Sequence, residues 1–333
     1  MLAATYTQTG RAADVLSVGE RETPAVGPGE VLVRVHASGI NPADVKRRAG
    51  WNGAGMSHPI VIPHTDGAGE IVAVGQGIDS SRVGERVWMW NAQGSYGEPG
   101  RAFGTAAEFI AIASQQAVKL PDRLSYAQGA NLGVPAMTAH RAVFADGPVR
   151  GQTVVINGSA GSVGLFAVQM AVFGGARVIG TVSNSEAAVQ VKNLGAAATI
   201  DRKKKDVAAR VMDLTGGVGA DRIVEVDFGA NLKLDAAILK RNGTVAAYSS
   251  TSNTTPVLPY YDYAVKGANL RFIQSFHLPD EARRAGEARI AEMAEAGQLS
   301  VAIGTTFPLE EIAAAQERVE AGGYGNVVVL IGP

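Results

Sequence analysis

The strongest constraint on the fold is a glycine-rich turn that directly follows a short apolar strand. The run Thr153–Ile156 is apolar and β-branched, and Asn-Gly-Ser-Ala-Gly-Ser-Val-Gly follows it, ending at Gly164. Gly158, Gly161 and Gly164 lack a Cβ where a ligand or a neighbouring element must come close. A helical apolar segment begins at Leu165. The pattern predicts a strand–turn–helix corner whose backbone N–H groups bind a dinucleotide pyrophosphate.

The same corner also fits a tight turn without a ligand, because the strict fingerprint has glycine at the position of Ser159. The following residues favour the ligand-binding alternative, since strand-like runs alternate with helical patterns. The predicted strands are Val178–Val182, Ala196–Ile200, Arg222–Val226, Gly243–Tyr248 and Leu270–Ile273, and the predicted helices are Ser185–Leu194, Asp206–Leu214 and Leu232–Leu239. This alternation predicts an α/β fold with a doubly wound parallel sheet.

The first 120 residues have a different pattern, in which short strands are separated by turns rich in glycine and proline. The predicted strands are Val31–His36, Gly69–Val74, Arg86–Trp90 and Glu108–Ile112. Their spacing predicts an all-β unit. A helical stretch, Tyr126–Phe144, then leads into the nucleotide unit, and the apolar run Val327–Ile331 is expected to pair back into the N-terminal domain. We therefore predict one domain from residues 1–122 and 268–333 and a second from residues 123–267.

Composition limits the function classes. A chain of 333 residues is long for one core, and its formal charge of -1 gives no reason to expect nucleic acid or an anionic membrane as a partner. No apolar run reaches the roughly 18 residues that cross a bilayer. The start of the chain shows no basic region followed by an apolar core, which favours a cytoplasmic enzyme. The absence of cysteine excludes disulfides and thiolate-bound zinc.

Several further motifs identify a family when they are read together, in order and spacing. They are Val35–Asp44, Asp66–Gly75, Val83–Val87, Gly104–Phe109, Gly133–Ala142, the glycine turn and Phe307–Ile312. The chain resembles the zinc-independent quinone oxidoreductases of the medium-chain dehydrogenase/reductase superfamily, the group that includes zeta-crystallin. The resemblance covers essentially the whole length. It implies a GroES-like β-barrel catalytic domain, a Rossmann-like domain that binds NADPH, and a homodimer.

The resemblance also bears on zinc. Zinc-dependent relatives hold a catalytic metal at positions that here carry Ser38, Thr65 and Asp66. The five histidines show no metal-binding spacing. We therefore predict no metal site.

The cofactor contacts divide between the glycine turn and the strand ends. The predicted turn contacts are Ser159, Ala160, Gly161, Ser162, Val163 and Gly164. An NAD site places an acidic residue at the end of the second strand, about 20 residues past the turn. Ser183 and Asn184 stand there instead, and Arg202 follows the third strand, which favours a 2′-phosphate and hence NADPH. The alternative for Arg202 is a solvated charge run shared with Lys203–Lys205.

The resemblance implies further contacts with the cofactor. They are Asn41, Thr138, Ser249, Ser250, Phe272, Ile273, Phe276 and Asn326, the last standing where relatives commonly have lysine. For Phe272 and Ile273, core packing is an equal alternative.

Catalysis is assigned to Asn41 and Lys46 as hydrogen-bond donors near the oxygen of the acceptor. Many quinone reductases of the family have tyrosine where this chain has Lys46, whereas the enone-reducing branch uses lysine; an exposed lysine without a role is the alternative. The expected pocket residues are His64, Trp51 and Trp90. The long segment from Trp88 to Phe103 is expected to shape the same pocket.

These residues predict an NADPH-dependent quinone reductase that transfers hydride to quinones or related conjugated carbonyls without a metal. One alternative is an NADPH-dependent enone or alkenal reductase acting on a carbon–carbon double bond. An alternative of another class is a non-catalytic, structural or RNA-binding protein like some crystallins.

Overall fold

A computed structural model describes residues 1–94 and 100–332. The chain divides into two compact units. Unit 1 comprises Met1–Pro135 and Ile290–Pro333, and unit 2 comprises Ala136–Arg289.

The two units differ in their secondary structure. The strands are β1 (Leu2–Thr5), β2 (Ser17–Glu20), β3 (Glu30–Ile40), β4 (Asp66–Val74), β5 (Arg86–Met89), β6 (Phe109–Ala113), β7 (Ala117–Lys119), β8 (Thr153–Ile156), β9 (Arg177–Val182), β10 (Ala198–Asp201), β11 (Ala220–Glu225), β12 (Leu239–Ala247), β13 (Asn269–Phe272), β14 (Ile303–Pro308) and β15 (Asn326–Leu330). The α-helices are α1 (Ala12–Val15), α2 (Pro42–Ala49), α3 (Tyr126–Gly129), α4 (Met137–Phe144), α5 (Ser162–Phe173), α6 (Ser185–Asn193), α7 (Val207–Leu214), α8 (Phe228–Ile238), α9 (Tyr260–Ala264), α10 (Asp280–Glu295) and α11 (Ile312–Ala321). Short 3₁₀ turns lie at Trp51–Gly53, Ser80–Arg82, Ser114–Gln116, Ser275–His277 and Leu309–Glu311, and Leu132–Ala136 forms a π-helical turn.

Unit 1 is built on a seven-stranded sheet in the order β14-β15-β3-β4-β5-β7, with β6 also paired to β3. Alternate residues of β3 point into the core, so that Val31, Val33 and Val35 are buried. The last strand, β15, runs antiparallel to β3 and pairs Val329 with Ser38. This return of the chain to its first domain confirms the prediction made from the apolar C-terminal run.

Unit 2 contains a six-stranded parallel sheet in the order β10-β9-β8-β11-β12-β13. Strand β8 has β9 on one side and β11 on the other, so the order of strands reverses there. Ligands of open α/β sheets bind at this reversal, outside the carboxyl ends of the strands. The parallel sheet and its connecting helices confirm the predicted fold class.

The stretch predicted as one helix, Tyr126–Phe144, is interrupted. Helix α3 ends at Gly129, the π-helical turn contains Pro135, and α4 begins at Met137. Proline has no N–H to donate and clashes with the preceding helical turn, which explains why regular α-helix does not continue through it.

The division into units also differs from the predicted domain bounds. Strand β13 pairs in parallel with β12 and completes the sheet of unit 2, although residues from 268 onward were assigned to the catalytic domain. Residues up to Pro135 belong to unit 1, where the Val134 N–H donates to the Asp66 carboxylate at 2.7 Å. Side-chain contacts of this kind leave no local trace in the sequence.

Within residues 1–94 and 100–332, no helix is both long and apolar enough to traverse a lipid bilayer.

Candidate active site

The glycine turn of unit 2 has a closed inner side and an open outer side. Gly158 has φ +66°, a conformation that L-residues rarely adopt. A Cβ on Gly164 would lie 2.3 Å from the Gly158 carbonyl oxygen, so the helix approaches the turn more closely than any other residue would allow. The two glycines therefore fix the shape of the corner.

The outer side of the turn offers unpaired donors. Helix α5 begins after Gly161, and no side chain of the described residues caps it. The N–H groups of Ala160, Ser162 and Val163 have no hydrogen-bond partner in the described part of the chain. Donors at the positive end of a helix dipole form a binding site for an anion such as a pyrophosphate.

Ser159 belongs to the inner side. It is fully buried, and both its N–H and its Oγ donate to the Thr181 carbonyl, at 3.0 and 2.8 Å. The expected contact of Ser159 with the cofactor would therefore need its hydroxyl to leave this partner.

The end of β9 carries the predicted selectivity residues. Asn184 is exposed, and its Oδ1 accepts from the Ala187 N–H at 2.8 Å, which caps α6 and leaves the amide hydrogens of Asn184 available. The Arg202 N–H donates to the Val182 carbonyl at 2.9 Å, which brings Arg202 next to half-buried Ser183 across the strand pair. No carboxylate stands at Ser183 or Asn184, where an NAD site has one.

The remaining predicted contacts of unit 2 fall into different environments. Ser250 Oγ accepts from the Gly229 N–H and donates to a backbone carbonyl, so it holds a turn. Ser249 Oγ lies 2.9 Å from Thr251 Oγ1. Thr138 and Ile273 are buried, Phe276 is half-buried, and Phe272 is 71% exposed at the edge strand β13. Packing in the core is therefore the observed state of Ile273, and Phe272 lies outside it.

In unit 1, Asn41 lies between the end of β3 and the start of α2. Its Nδ2 donates to Asp66 Oδ2 at 2.8 Å, and its N–H donates to Asp44 Oδ2 at 2.8 Å. Burial raises the pKa of both carboxyl groups, and that of Asp66 stands well above its usual value. The Asn41 side chain also lies within hydrogen-bonding reach of the Asp44 carboxyl group. The two carboxyl groups thus hold the predicted catalytic amide in one orientation.

Lys46 lies on α2 with its Nζ 4.5 Å from the centre of the Trp51 ring. Trp51 is 38% exposed, and Lys46 is half-buried. This cation–π contact favours a placed ammonium over a fully solvated one.

His64 is placed differently from the expectation that it lines the acceptor pocket. It is fully buried at φ +78°, and both ring nitrogens have partners. Its Nε2 lies 3.1 Å from Gln316 Nε2, and its Nδ1 lies 2.9 Å from Ser38 Oγ. Burial lowers the pKa of His64 to about 3, so the ring is neutral.

The hydrogen-bond directions in this cluster follow from its ends. Arg48 can only donate, and its Nε donates to Gln316 Oε1 at 3.0 Å, so Gln316 donates from Nε2 to His64. His64 then donates from Nδ1 to Ser38 Oγ. Ser38 in turn donates to Thr105 Oγ1, which donates to the Asp66 carbonyl at 2.6 Å. Every member is satisfied, and the His64 cluster (Arg48, Gln316, His64, Ser38 and Thr105) is closed.

The residues of this region do not fit a catalytic zinc ion. The Ser38 hydroxyl is engaged with His64 and Thr105, and Thr65 Oγ1 donates to Asp44 Oδ1 at 2.6 Å. The side chain of Asp66 accepts from Asn41 and Val134. Residues 1–94 and 100–332 contain no group of three or more His, Cys, Asp or Glu side chains able to hold a metal.

Three predictions for unit 1 remain: Trp90 and the segment from Trp88 to Phe103 as parts of an acceptor pocket, and Asn326 as a cofactor contact. Trp90 is buried, and its indole Nε1 has no partner among the residues described. Part of the segment from Trp88 to Phe103 that was expected to shape the pocket, residues 95–99, lies outside the described residues. Asn326 is buried, and both its N–H and its Nδ2 donate to the Ala302 carbonyl, which leaves it a structural position.

The sequence analysis did not identify the buried polar residues that support the glycine turn. In unit 2 these are Asn157, Thr181, Glu225 and Asp235, all buried around the ends of the central strands. The available signal was a polar residue ending an apolar run, as Glu225 does after Arg222-Ile-Val.

Known proteins provide an independent comparison. The model of the alcohol dehydrogenase GroES-like domain matches residues 27–122, and that of zinc-binding dehydrogenases matches residues 162–292. The human quinone oxidoreductase is 30% identical over 309 residues, which cover 91% of this chain and 89% of the relative. The chain therefore belongs to the medium-chain dehydrogenase/reductase superfamily, among relatives of the quinone oxidoreductases, and the resemblance found in the sequence is confirmed.

Solved structures agree with this assignment. A mycobacterial protein in complex with NADPH superposes with a TM-score of 0.86 at 28% identity, covering 99% of this chain and all of the other. A 2-haloacrylate reductase superposes with a TM-score of 0.83 at 28% identity, covering 99% of each chain. The chain is an oxidoreductase of this superfamily by its fold and relatives.

Proposed function

We propose that this protein is an NADPH-dependent reductase that transfers hydride to quinones or related conjugated carbonyls without a metal. The observation that carries the proposal is the open outer side of the glycine turn. The N–H groups of Ala160, Ser162 and Val163, around the start of α5, have no partner among the described residues and suit a pyrophosphate.

The preference for NADPH is supported by the end of β9. Ser183 and Asn184 replace the acidic residue that would bind the 2′-hydroxyl of NADH and repel a phosphate. Exposed Arg202 lies next to Ser183 and offers a guanidinium to a phosphate dianion. The mycobacterial relative solved with NADPH has the same fold over nearly the whole chain.

The protein side chains need only to donate hydrogen bonds or a proton to the oxygen of the acceptor. Bound NADPH supplies the hydride, and a conjugated acceptor spreads the resulting charge onto its oxygen. Asn41, held by Asp66 and Asp44, is proposed to turn an amide hydrogen toward that oxygen when the acceptor binds. Lys46 is proposed as a second donor, because an ammonium both stabilises an enolate and releases a proton.

Lys46 also favours a second candidate, the reduction of a carbon–carbon double bond beside a carbonyl. Its ammonium is held over the Trp51 ring, and a solved relative is named a 2-haloacrylate reductase. Reduction of an isolated enone forms a more basic enolate than reduction of a quinone, so it depends more strongly on a nearby proton donor.

The test is NADPH oxidation measured with 1,4-benzoquinone and with a simple enone, for the native protein and for Lys46→Met. Lys119→Met, at the exposed end of β7, is the matched control. Faster turnover of the quinone, with less than about threefold loss in Lys46→Met, supports the quinone reductase. Preference for the enone with a loss of about 100-fold in Lys46→Met supports the second candidate. NADPH binding without turnover of either acceptor would contradict both and support a non-catalytic role.

The expected cytoplasmic location and homodimer are further parts of the proposal. Light scattering coupled to size-exclusion chromatography measures the oligomeric state, and a monomer at micromolar concentration would contradict the dimer.

A further inference from the structure

The inner side of the glycine turn is anchored by a buried chain of hydrogen bonds that ends on two carboxyl groups. The Gly158 N–H donates to Thr181 Oγ1 at 3.0 Å, and Thr181 Oγ1 donates to Asn157 Oδ1 at 3.3 Å. Asn157 Nδ2 donates to Glu225 Oε2 and, at 3.2 Å, to Asp235 Oδ1. Asn157, Thr181, Glu225 and Asp235 form what we call the turn anchor.

The turn anchor crosses three adjacent parallel strands at their carboxyl ends. Thr181 lies on β9, Asn157 directly follows β8, and Glu225 ends β11. All four side chains are at most 3% exposed. A buried polar chain is retained only when its members are satisfied, so the geometry of each link constrains the next.

The direction of the chain is set by Glu225. Its Oε1 accepts from the Asp227 N–H and from Asn231 Nδ2, so the carboxylate receives donors on both oxygens. Asn157 must therefore turn its Nδ2 toward Glu225 and its Oδ1 toward Thr181. Thr181 then donates to Asn157 and is left with lone pairs for the Gly158 N–H.

We propose that Thr181 is a positioning residue for the cofactor, and that Asn157 and Glu225 orient it. Thr181 holds the turn at two atoms: its Oγ1 accepts from Gly158, and its carbonyl accepts from Ser159 N–H and Oγ. The inner N–H groups are held in this way, whereas those of Ala160, Ser162 and Val163 have no partner among the described residues and remain available to a pyrophosphate. Preorganised donors bind more tightly because less ordering is required on binding.

Asp235 also accepts a hydrogen bond from Asn157, but unlike Glu225 it has an oxygen without a hydrogen-bond partner among the described residues. Its Oδ2 is buried without a partner in the described part of the chain, and it faces the Glu225 carboxylate. Burial, with Glu225 close by, raises the pKa of Asp235 well above its usual value. A raised pKa disfavours a second negative charge close to Glu225, and Asp235 Oδ1 still accepts from Asn157.

The inference rests on the proposed NADPH binding, and its test compares Thr181→Val with Thr181→Ser. Valine keeps the shape but removes Oγ1, whereas serine keeps the hydroxyl. Thr199→Val, half-buried on the neighbouring strand β10, is the matched control. The dissociation constant of NADPH is measured by fluorescence titration, and kcat and KM with whichever acceptor the native protein reduces.

We expect Thr181→Val to raise the Kd and KM for NADPH about tenfold, with kcat at saturating NADPH changed less than twofold. Thr181→Ser is expected to recover most of the affinity. Equal losses in the serine and valine variants would assign the effect to packing and overturn the proposal, as would native affinity in Thr181→Val. Thermal melting identifies a variant that fails to fold, in which case the serine variant and Glu225→Gln carry the test.

Glu225→Gln tests the orienting part of the chain. An amide cannot accept on both sides, so Asn157 loses its fixed orientation, and we expect a rise of about threefold to tenfold in the NADPH Kd. An unchanged Kd would remove Glu225 from the proposal. Failure of the native protein to bind NADPH would instead overturn the proposed function, which separates the two outcomes.

Discussion

The His64 cluster of unit 1 and the turn anchor of unit 2 are both buried chains of hydrogen bonds, but they end differently. The His64 cluster runs from Arg48 to the Asp66 carbonyl and closes on the protein itself. The turn anchor ends at Gly158, beyond which the N–H groups of the turn are open. The comparison separates a network whose donors are all used within the protein from one that leaves N–H donors available, which is the feature on which the proposed cofactor site depends.

The largest effect is expected at the glycine turn, where the turn anchor ends. Gly164→Ala would place a Cβ 2.3 Å from the Gly158 carbonyl and force the turn and α5 apart. We expect a loss of NADPH affinity of more than about 30-fold and destabilisation of about 1–3 kcal/mol, as for overpacking in a rigid site. Titration calorimetry measures the first effect and thermal unfolding the second.

Gly19→Ala is the control, since a Cβ there meets no atom within 4 Å. If Gly164→Ala bound NADPH as tightly as this control, the turn would not be the pyrophosphate site.

The next largest effect is the dependence of the free energy of unfolding on pH, which involves the His64 cluster. The folded-state pKa of His64 is lowered by burial from 6.5 to about 3, so between these values the unfolded chain binds more protons than the native protein. Stability is therefore fully present above pH 6.5 and declines as pH falls toward 3. The decline attributable to His64 is about 2 kcal/mol between pH 6.5 and pH 5.

Urea unfolding at pH 7 and pH 5 measures this slope. His64→Asn, chosen because asparagine tolerates positive φ, should reduce the slope, whatever its effect on the absolute free energy of unfolding. His277→Asn, in the 3₁₀ turn Ser275–His277, is the matched histidine control. The same slope in both variants would show that His64 titrates normally and that the cluster is open to water.

The smallest effect is expected at Arg202, the exposed residue beside the end of β9. Arg202→Gln removes an exposed cation beside Ser183, so we expect the Kd for NADPH to rise about fivefold and that for NADH to stay unchanged. Lys204→Gln, whose ammonium lies 3.6 Å from Asp201, should leave both constants near native. Equal weakening of NADH and NADPH in Arg202→Gln would remove the contact with the 2′-phosphate.

The sequence allowed prediction of the parallel sheet, the turn and the pairing of the last strand, because each depends on local patterns. Gly158 and Gly164 are needed by the backbone where they stand, and an apolar run such as Val327–Ile331 must be buried somewhere. The broken helix was missed because Pro135 lies within an otherwise helical pattern.

The partners of the buried polar side chains could not be predicted in this way. His64 and Gln316 are 252 residues apart in the chain, and Asn157 and Asp235 are 78 apart. No spacing rule links such positions, since their contact depends on the packing of whole elements. From the local sequence alone, His64 could therefore not be distinguished from a histidine that lines a pocket, nor Glu225 from a carboxylate on the surface.

Local sequence patterns were enough to predict where the backbone bends, which segments are buried, and that no acidic side chain stands at the end of β9. Which hydrogen-bond donors are used within the protein, and which stay available to a ligand, became visible only in the three-dimensional packing. This difference arises because hydrogen bonding and burial depend on three-dimensional neighbours, whereas glycine geometry and apolar periodicity act within a few residues of the chain.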